Sequence, residues 1–415
     1  MAYLGSTPAR APLSSAQIED GTIDTADLAT NAVTTAKITA ANVTTAKIAD
    51  ANVTTAKLAA GSALIGKNLI ENGAMNVSQR GSQTGQGGTS NVYTAIDRWL
   101  FRAEGVGEAR VSTSQSSLSV ANNLLTQGCR NAIEIDCTTA ESSVAAGECL
   151  MLAQKVEARN LQHLLFGTSG AKDLTLSFAM RSPKSGTHCV SILQGDANRS
   201  YIAEFTIASA DTLEHFSMTI PGDTGGTINN DTGSGMRLHF PLTAGTNFHN
   251  TAGSWFSGED YATSNQQNLL DNTANNIYIT AVQLEVGGVF TGFEFEPISV
   301  TLAKCFRYYY QATEAADGHF GPGFGESTTQ LSCSISLPTE MRANPTLTTS
   351  GTASDYRAQT GSSGNIACSA VPAINNAGSK NVGVRFTTAG SLAVDEAGQG
   401  KSAASGAFLG FSADL

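Results

Sequence analysis

The motifs that bring catalytic side chains together are not found in this sequence of 415 residues. It has no G-x-S-x-G turn for a nucleophile, no P-loop for a phosphate and no H-E-x-x-H for a metal. A glycosidase needs two carboxylates about 5–10 Å apart, and no local pattern nominates a pair. The oxygen-rich segment NNDTGSG, residues 229–235, could supply ligands to a structural calcium, but nothing else supports that site. The sequence therefore predicts a protein that is not an enzyme, with no cofactor.

The clearest group of binding side chains lies in GSWFSGEDYATSNQQN, residues 253–268, which reads as a loop. Aromatic rings pack on apolar faces, while amides and carboxylates hydrogen-bond to hydroxyls, so such a group can bind a ligand that offers both. Its aromatic and acidic members are Trp255, Phe256, Glu259, Asp260 and Tyr261. The alternative is that Trp255 points into the core of the fold.

A second candidate is DGHFGPGFGES, residues 317–327, in which His319, Phe320 and Phe324 lie among glycines. That pattern predicts a mobile aromatic loop suited to a distal tip. The alternative is a plain linker.

Two further aromatic segments are expected to be structural. In DRW, residues 97–99, we expect Trp99 in the core, with Asp97 and Arg98 paired beside it. In RYYYQ, residues 307–311, we expect a helix packed on a sheet.

Most of the chain after residue 68 consists of short runs in which apolar and polar residues alternate, separated by turn residues such as PGDTGG and SPKSG. Alternation of this kind indicates strands with one buried face, and many short strands predict a sandwich or jelly roll. The runs in the first part are 131–137, 174–182, 188–193, 201–207, 215–220, 236–242 and 277–286. Those near the end are 329–338, 345–351, 382–388 and 409–415. Short helices are predicted at 156–167, ending at Gly167, and at 299–311, with Ser299 as N-cap.

Composition supports a Gly- and turn-rich β protein and argues against nucleic-acid binding. Charged residues make up only 14%, Gly occurs 42 times, and the net charge is −11. Nucleic-acid binding needs a basic face, and no run of Lys or Arg occurs.

No secretion signal or membrane span is visible. Seven scattered cysteines without a CxxC pair predict mostly buried thiols in a protein folded in a reducing cytosol.

Residues 11–60 contain five ten-residue units, most regular in NAVTTAKITAANVTTAKIADANVTTAKLAA. A ten-residue period fits neither one long helix nor one long strand, so we expect an extended piece followed by one helical turn, capped by Thr34, Thr44 or Thr54. Such a unit must stack on its neighbours or on identical chains to bury its apolar side chains. Those expected in the shaft core are Ile23, Leu28, Val33, Ile38, Val43, Ile48, Val53 and Leu58. The alternative is a disordered Ala/Thr linker.

Several segments, in this order, resemble bacteriophage tail fibres and receptor-binding proteins with a head like a carbohydrate-binding module. The start of such proteins looks like AYLGSTP. The opening of their head domain looks like NLIENGAMNVSQRG followed by DRW. The repeats resemble their shafts, and LAQKVEARNLQHLLFGTSGAKDLTLSFAMRSPKSGT, MTIPGDTGGT, YITAVQLEVGGVFTGFEFEPISVTLAKCFRYYYQ and LPTEMRANPTL resemble later parts. Each motif alone is weak, and the ordered set covers nearly the whole chain.

The resemblance implies a homotrimer that is part of the virion tail and is made and folded in the cytoplasm of the host bacterium. It implies a jelly-roll head that binds a bacterial surface glycan such as lipopolysaccharide. The residues that would contact the glycan are Trp255, Phe256, Asp260, Tyr261, His319 and Phe320. Those that would dock on a tail or adaptor protein are Tyr3, Leu4, Gly5 and Pro8. Two alternatives stay open: a tailspike that depolymerises polysaccharide, and a structural collar or adaptor that binds no receptor.

The predicted organisation is mainly β, a jelly-roll sandwich head between a trimeric repeat shaft and a small β unit. Its parts are an anchoring peptide (1–20), which overlaps the first repeat, the shaft (11–60), a joint (61–67), the head (68–311), a Gly-rich linker (312–322) and the C-terminal β unit (323–415).

If the repeats associate, the purified chain is a trimer at micromolar concentration. Light scattering should then give three times the mass of the 42.9 kDa chain. A monomer at that concentration would contradict the shaft prediction.

Overall fold

The computed structural model describes residues 18, 23–29, 66–88, 91–105, 107–118, 128–390 and 392–415. The chain forms two compact units, residues 1–59 and residues 60–415. Each is described by itself.

In the first unit, the described part of one repeat contains a single helical turn. Residues Thr25–Asp27 form a 3-10 turn, and the Asp24 backbone N–H donates to Asp27 Oδ2 at 3.0 Å, one half of a capping box. This is the turn that the ten-residue period predicts. Ile23 and Leu28 are 54% and 46% exposed in the single chain. The other predicted shaft and anchoring residues lie outside the described residues.

Among its described residues, nearly all the regular elements of the second unit are strands. They are β1 (Gln83–Gln86), β2 (Val92–Tyr93), β3 (Trp99–Glu104), β4 (Arg110–Ser117), β5 (Asn131–Thr139), β6 (Cys149–Glu157), β7 (Leu174–Arg181), β8 (Gly186–Gln194), β9 (Arg199–Ile207), β10 (Glu214–Ile220), β11 (Ser234–Ala244), β12 (Trp255–Ser257), β13 (Asn276–Val286), β14 (Tyr309–Thr313), β15 (His319–Ser327), β16 (Gln330–Ser336), β17 (Thr346–Thr349), β18 (Tyr356–Thr360), β19 (Gly364–Ala367), β20 (Ala373–Ala377), β21 (Asn381–Thr387), β22 (Ala397–Ser402) and β23 (Phe408–Ser412). The helix α1 spans Ile298–Phe306, and 3-10 turns span Ala158–Leu164, Thr246–Phe248 and Ala353–Asp355.

Residues 83–286 form an antiparallel sandwich, here called the sandwich. One sheet has the order β1-β4-β5-β13-β7-β10 and the other β12-β9-β8-β11-β6-β3-β2. Alternate residues of each strand face the core, where Phe178 and Phe240 meet edge to face at 5.0 Å and Trp99 lies 6.2 Å from Phe240. The fully buried Trp99 confirms its predicted core position. The prediction of a mainly β chain with sandwich-like antiparallel sheets is confirmed.

The predicted strands correspond closely to observed ones, and both helix predictions need adjustment. The segment 156–167 contains a 3-10 turn over Ala158–Leu164, which ends because Leu165 adopts a left-handed conformation with φ 55°. The helix predicted over 299–311 is α1, which has Pro297 rather than Ser299 at its N-cap and ends at Phe306. The rest of that segment enters β14, so Tyr309 and Tyr310 pair with the strand β23 instead of packing from a helix.

Residues 309–415, here called the C-terminal lobe, contain a three-stranded sheet β14-β23-β17 and a seven-stranded sheet β19-β18-β22-β15-β16-β21-β20. The structure differs here from the predicted linker over 312–322, because β14 and β15 include most of it. The glycines allow the neighbouring backbone to approach closely and do not make the segment mobile. A Cβ on Gly323 would lie 2.2 Å from the Ser332 carbonyl oxygen, and a Cβ on Gly325 would lie 2.0 Å from the Ala393 carbonyl oxygen.

Buried charges join the C-terminal lobe to the sandwich. Glu157, at the end of β6, accepts hydrogen bonds from Arg307 at 3.0 and 2.8 Å and from the Tyr308 hydroxyl at 3.1 Å. Arg98 donates to Glu71 at 2.7 Å, and its guanidinium lies 3.4 Å from the centre of the Tyr308 ring. Arg342 of the lobe also donates to the Thr232 carbonyl of the sandwich at 3.1 Å, so the lobe packs on the sandwich.

The expected pairing of Asp97 with Arg98 is not what the structure shows. Arg98 pairs with Glu71, whereas Asp97 accepts from the Gln79 backbone N–H at 3.0 Å and lies 3.9 Å from Arg80. Arg98 has a φ of 76°, and this left-handed backbone accompanies an Arg98 side chain directed away from Asp97.

All seven cysteines are free and buried, as the sequence predicts. Burial raises the pKa of the Cys129 and Cys137 thiols to about 11, so both are uncharged near neutral pH.

Within the described ranges, no helix has the length and apolar character to span a membrane. The same residues include no cluster of three or more His, Cys, Asp or Glu that could hold a metal.

Replacing Arg98 by Ala should lower the free energy of unfolding by about 3–5 kcal/mol, because it leaves the Glu71 carboxylate without its buried partner. The Arg98 side chain is only 2% exposed. The matched control is Arg385→Ala, which breaks an ion pair with Glu326 whose side chains are 33% and 39% exposed; it should cost less than about 1 kcal/mol. Urea unfolding measures both, and equal effects would contradict the role of Arg98.

Candidate functional site

The first predicted group, residues 253–268, is spread over the edge of the sandwich. Trp255 lies in the edge strand β12, where its indole N–H donates to the Pro221 carbonyl at 2.7 Å. Its ring contacts Phe166 and Tyr201, with centroids 5.8 and 5.5 Å apart. The indole is therefore half-buried and fixed, packed against the core from its margin. Phe256 is half-buried on the opposite side of the strand.

Tyr261 is buried and is not available to a ligand in this structure. Its hydroxyl donates to Glu259 at 2.8 Å, and Arg102 pairs with the same carboxylate. Burial acts to raise the pKa of Glu259, but the hydrogen bond from Tyr261 and the charge of Arg102 outweigh it, so the pKa lies below its usual value. Asp260 is half-buried and accepts from Asn250 at 2.8 Å. This group is a structural network rather than an open aromatic surface.

The second predicted group, residues 317–327, is the strand β15 and not a loop. The register with β22 shifts between His319 and Gly321, so Phe320 and Phe324, four residues apart, lie on different faces of the seven-stranded sheet. Phe320 is buried and lies 5.9 Å from the Tyr356 ring, whereas Phe324 is 50% exposed on the opposite face. His319 is exposed at the start of the strand, opposite Lys401.

Phe324 borders an open groove of about 410 Å³, here called the Phe324 groove. Neighbouring strands supply its other sides, since Phe324 lies opposite Ser332, and Ser334 lies opposite Gly383. The polar and small residues that line it are Ser332, Ser334, Asn375, Asn376, Gly378, Asn381 and Gly383. The groove therefore combines one exposed ring with hydroxyls and three amides on a floor of small residues.

An irregularity in β20 sets the position of the amides. The register with β21 shifts between Ile374 and Asn376, so Asn375 lies in a bulge, a device that commonly re-aims side chains. Asn375 donates to the Ser332 hydroxyl at 2.8 Å across the floor. A Cβ on Gly383 would lie 2.4 Å from Asn375 Oδ1, so this glycine leaves the space that the amide occupies.

The groove offers binding groups and little reactivity. Its amides and hydroxyls can donate and accept hydrogen bonds, and the exposed ring offers an apolar face. Burial raises the pKa of the Cys333 thiol at its floor to about 12, so that thiol is protonated near neutral pH. The exposed aromatic ring, the amides and the floor of small residues together suit a ligand with apolar faces and many hydroxyls.

The sequence indicated the ring of this site and missed the amides. Phe324 belongs to the second candidate segment, but the glycan contacts expected from that segment are His319 and Phe320. Alternation alone puts positions 320 and 324 of HFGPGFGES on the same face. The register shift between His319 and Gly321, which the sequence does not report, gives them different faces. The segment PAINNAGSKN, residues 372–381, which carries the amides, held no aromatic to draw attention.

No family model matches the chain, and no curated protein matches it. Among solved structures, it is similar to the enzymatically active domain of tailspike protein 4 of bacteriophage CBA120, with 11% identity, a TM-score of 0.26, and coverage of 53% of this chain and 21% of that one. The chain thus spans about a fifth of the tailspike chain that it matches.

Carbohydrate-binding modules are also similar. A CBM4 module has 14% identity and a TM-score of 0.27, covering 52% of this chain and 99% of the module. A family 11 carbohydrate-binding module from Clostridium thermocellum, in complex with a β-1,3-1,4-mixed-linked tetrasaccharide, has 14% identity and a TM-score of 0.25, covering 51% of this chain and 97% of the module.

Tyr261→Ala should unfold the sandwich more easily rather than remove a binding contact. Truncating a buried aromatic costs about 3–5 kcal/mol, which urea unfolding measures. The control Tyr261→Phe keeps the ring and loses only the hydrogen bond to Glu259, so it should cost about 1–3 kcal/mol. Unchanged stability of the Ala variant, with loss of ligand binding, would restore Tyr261 as a binding residue.

Proposed function

We propose that this protein is a bacteriophage tail fibre that attaches the virion to its host by binding a glycan on the bacterial surface, such as lipopolysaccharide, without cleaving it. In this proposal the sandwich is a jelly-roll head, residues 11–60 form the shaft of a homotrimer, and the N-terminal peptide docks on a tail or adaptor protein. The ordered sequence resemblance supports the phage assignment.

The observation that carries the proposal is the Phe324 groove. Sugars present apolar ring faces and a rim of hydroxyls, and proteins bind them with an aromatic platform and amides. Phe324 is 50% exposed, although burying a Phe side chain gains ~1.5–3 kcal/mol. A sugar that packs on this ring would gain part of that free energy, while Asn375, Asn376 and Asn381 lie close enough to fix its hydroxyls.

With three copies of the groove in one fibre, the fibre can attach to the host even if each groove binds the glycan weakly. Linked sites raise the overall affinity by roughly 10²–10⁴ without any new contact, provided that several can bind at once. A bacterial surface offers many copies of one glycan, which meets that condition. The shaft then serves to hold the copies together at a distance from the tail.

Phe324→Ala should weaken binding of the purified fibre to host cells. Removing the ring lowers the affinity of a single site by about tenfold or more, as the loss of most of a buried Phe contact implies. Phe295→Ala is the matched control, because Phe295 is 58% exposed but lies outside the groove. Fluorescently labelled fibre on host cells gives the affinity, and circular dichroism confirms that both variants are folded.

Two outcomes would replace the proposal. Shortened polysaccharide chains after incubation with the wild-type protein would identify a depolymerase. Fibre that neither binds host cells nor competes with the phage for infection would identify a structural collar or adaptor. Equal binding by the Phe324 and Phe295 variants would move the glycan site away from the groove.

A further inference from the structure

We infer a second ligand site in the pocket between the sandwich and the C-terminal lobe, here called the interlobe pocket, which would take a neutral, hydroxyl-rich molecule the size of one sugar residue. The pocket has a volume of about 330 Å³ and is open to solvent. That volume falls at the lower end of the range for small-molecule sites. The inference is independent of the Phe324 groove.

Both parts of the second unit contribute to the walls. Arg80, Gln83 and Tyr93 come from the sandwich segment, and the remaining lining residues come from the C-terminal lobe. The latter are Tyr309, Gln311, Thr348, Phe408, Ser412 and Asp414. A pocket between two packed bodies is a common position for a ligand.

The aromatic and amide groups of the pocket are held in place by their own contacts. Arg80 lies between two rings, 4.8 Å from the Tyr93 centroid and 3.5 Å from that of Tyr309. The Tyr309 hydroxyl donates to Gln311 Oε1 at 2.7 Å, and Gln83 donates to the Arg80 carbonyl at 2.9 Å. Groups fixed in this way lose little freedom when a ligand binds.

Charge at the pocket selects a neutral ligand. Arg80 pairs with Asp414, so the two charges that line the pocket cancel. An anion would meet the Asp414 carboxylate, and a cation would meet the Arg80 guanidinium, each without a free counter-charge. Hydroxyl groups suit the site because they both donate and accept.

Two polar atoms of the charged pair make no hydrogen bond, although Arg80 Nη1 also lies 3.9 Å from Asp97 Oδ1. Arg80 Nη1 and Asp414 Oδ1 are buried and make no hydrogen bond within the described part of the chain. The Asp414 side chain is only 6% exposed. Its carboxylate also accepts from the Ser412 hydroxyl at 2.9 Å through Oδ2. The two residues of this pair therefore line the pocket with hydrogen-bonding capacity left over.

The test uses the full chain and saturation-transfer NMR with the methyl glycosides of glucose, galactose and mannose as probes. All variants are made in the Phe324→Ala background, which removes the Phe324 groove as a second source of signal. In that background Thr348→Trp should abolish saturation transfer, because the indole fills the pocket from an exposed strand position. Thr346→Trp is the matched control: it stands two residues earlier on the same strand face, is equally exposed and does not line the pocket. It should leave the signal unchanged.

Further variants keep the result interpretable. Gln83→Ala removes one amide and should weaken binding about fivefold, the equivalent of one neutral hydrogen bond, even if Thr348→Trp fails to fold. Loss of the signal in Phe324→Ala alone would assign the sugar to the Phe324 groove and overturn this inference without contradicting the proposed function. No signal with the wild-type protein, or a signal only with the acidic methyl glycoside of N-acetylneuraminic acid, would also overturn it.

Discussion

The buried carboxylate of Glu157 is the charge on which the arrangement of the second unit depends. Its side chain has no solvent exposure, and it terminates β6, an interior strand of the larger sandwich sheet. A buried carboxylate is tolerated only with hydrogen-bonding partners, and Arg307 and Tyr308 supply them from the segment that leads into the C-terminal lobe. The next residue along the chain, Tyr309, lines the interlobe pocket, so this junction adjoins that pocket, whereas the Phe324 groove is formed within the lobe.

Local patterns predicted most of the strands because their information lies within a few residues. Alternation in segments such as 174–182 and 277–286 reports one buried face, whatever the partner strand is. Predictions failed where the deciding contact is distant in sequence. The Gly-rich segment after residue 312 reads as a linker until Ser332 and Ala393 are known to lie against its glycines. Arg98 likewise finds Glu71 across the fold instead of its neighbour Asp97.

The sequence predicted the type of binding site, aromatic rings among polar side chains, but not which residues form it. Residue types indicated rings among polar side chains, but exposure of a ring depends on which face of a strand meets the core. Tyr261 and Phe320 face inward, whereas Phe324 faces solvent. The amides of the groove are contributed by a strand about fifty residues further along the chain, and a bulge sets their direction. Register and bulges arise from pairing, which composition and periodicity do not report.

The order of strands in the three-stranded sheet has a consequence for biosynthesis. The strand β23, residues 408–412, lies between β14 and β17, so neither of these has its partner until residues 408–412 have been made. The strands of the sandwich all precede residue 287 and can pair while the ribosome is still translating the lobe. Closure of the lobe across about a hundred residues is therefore a late, non-local step, and a truncated product would present the unpaired edge of β14 to other nascent chains.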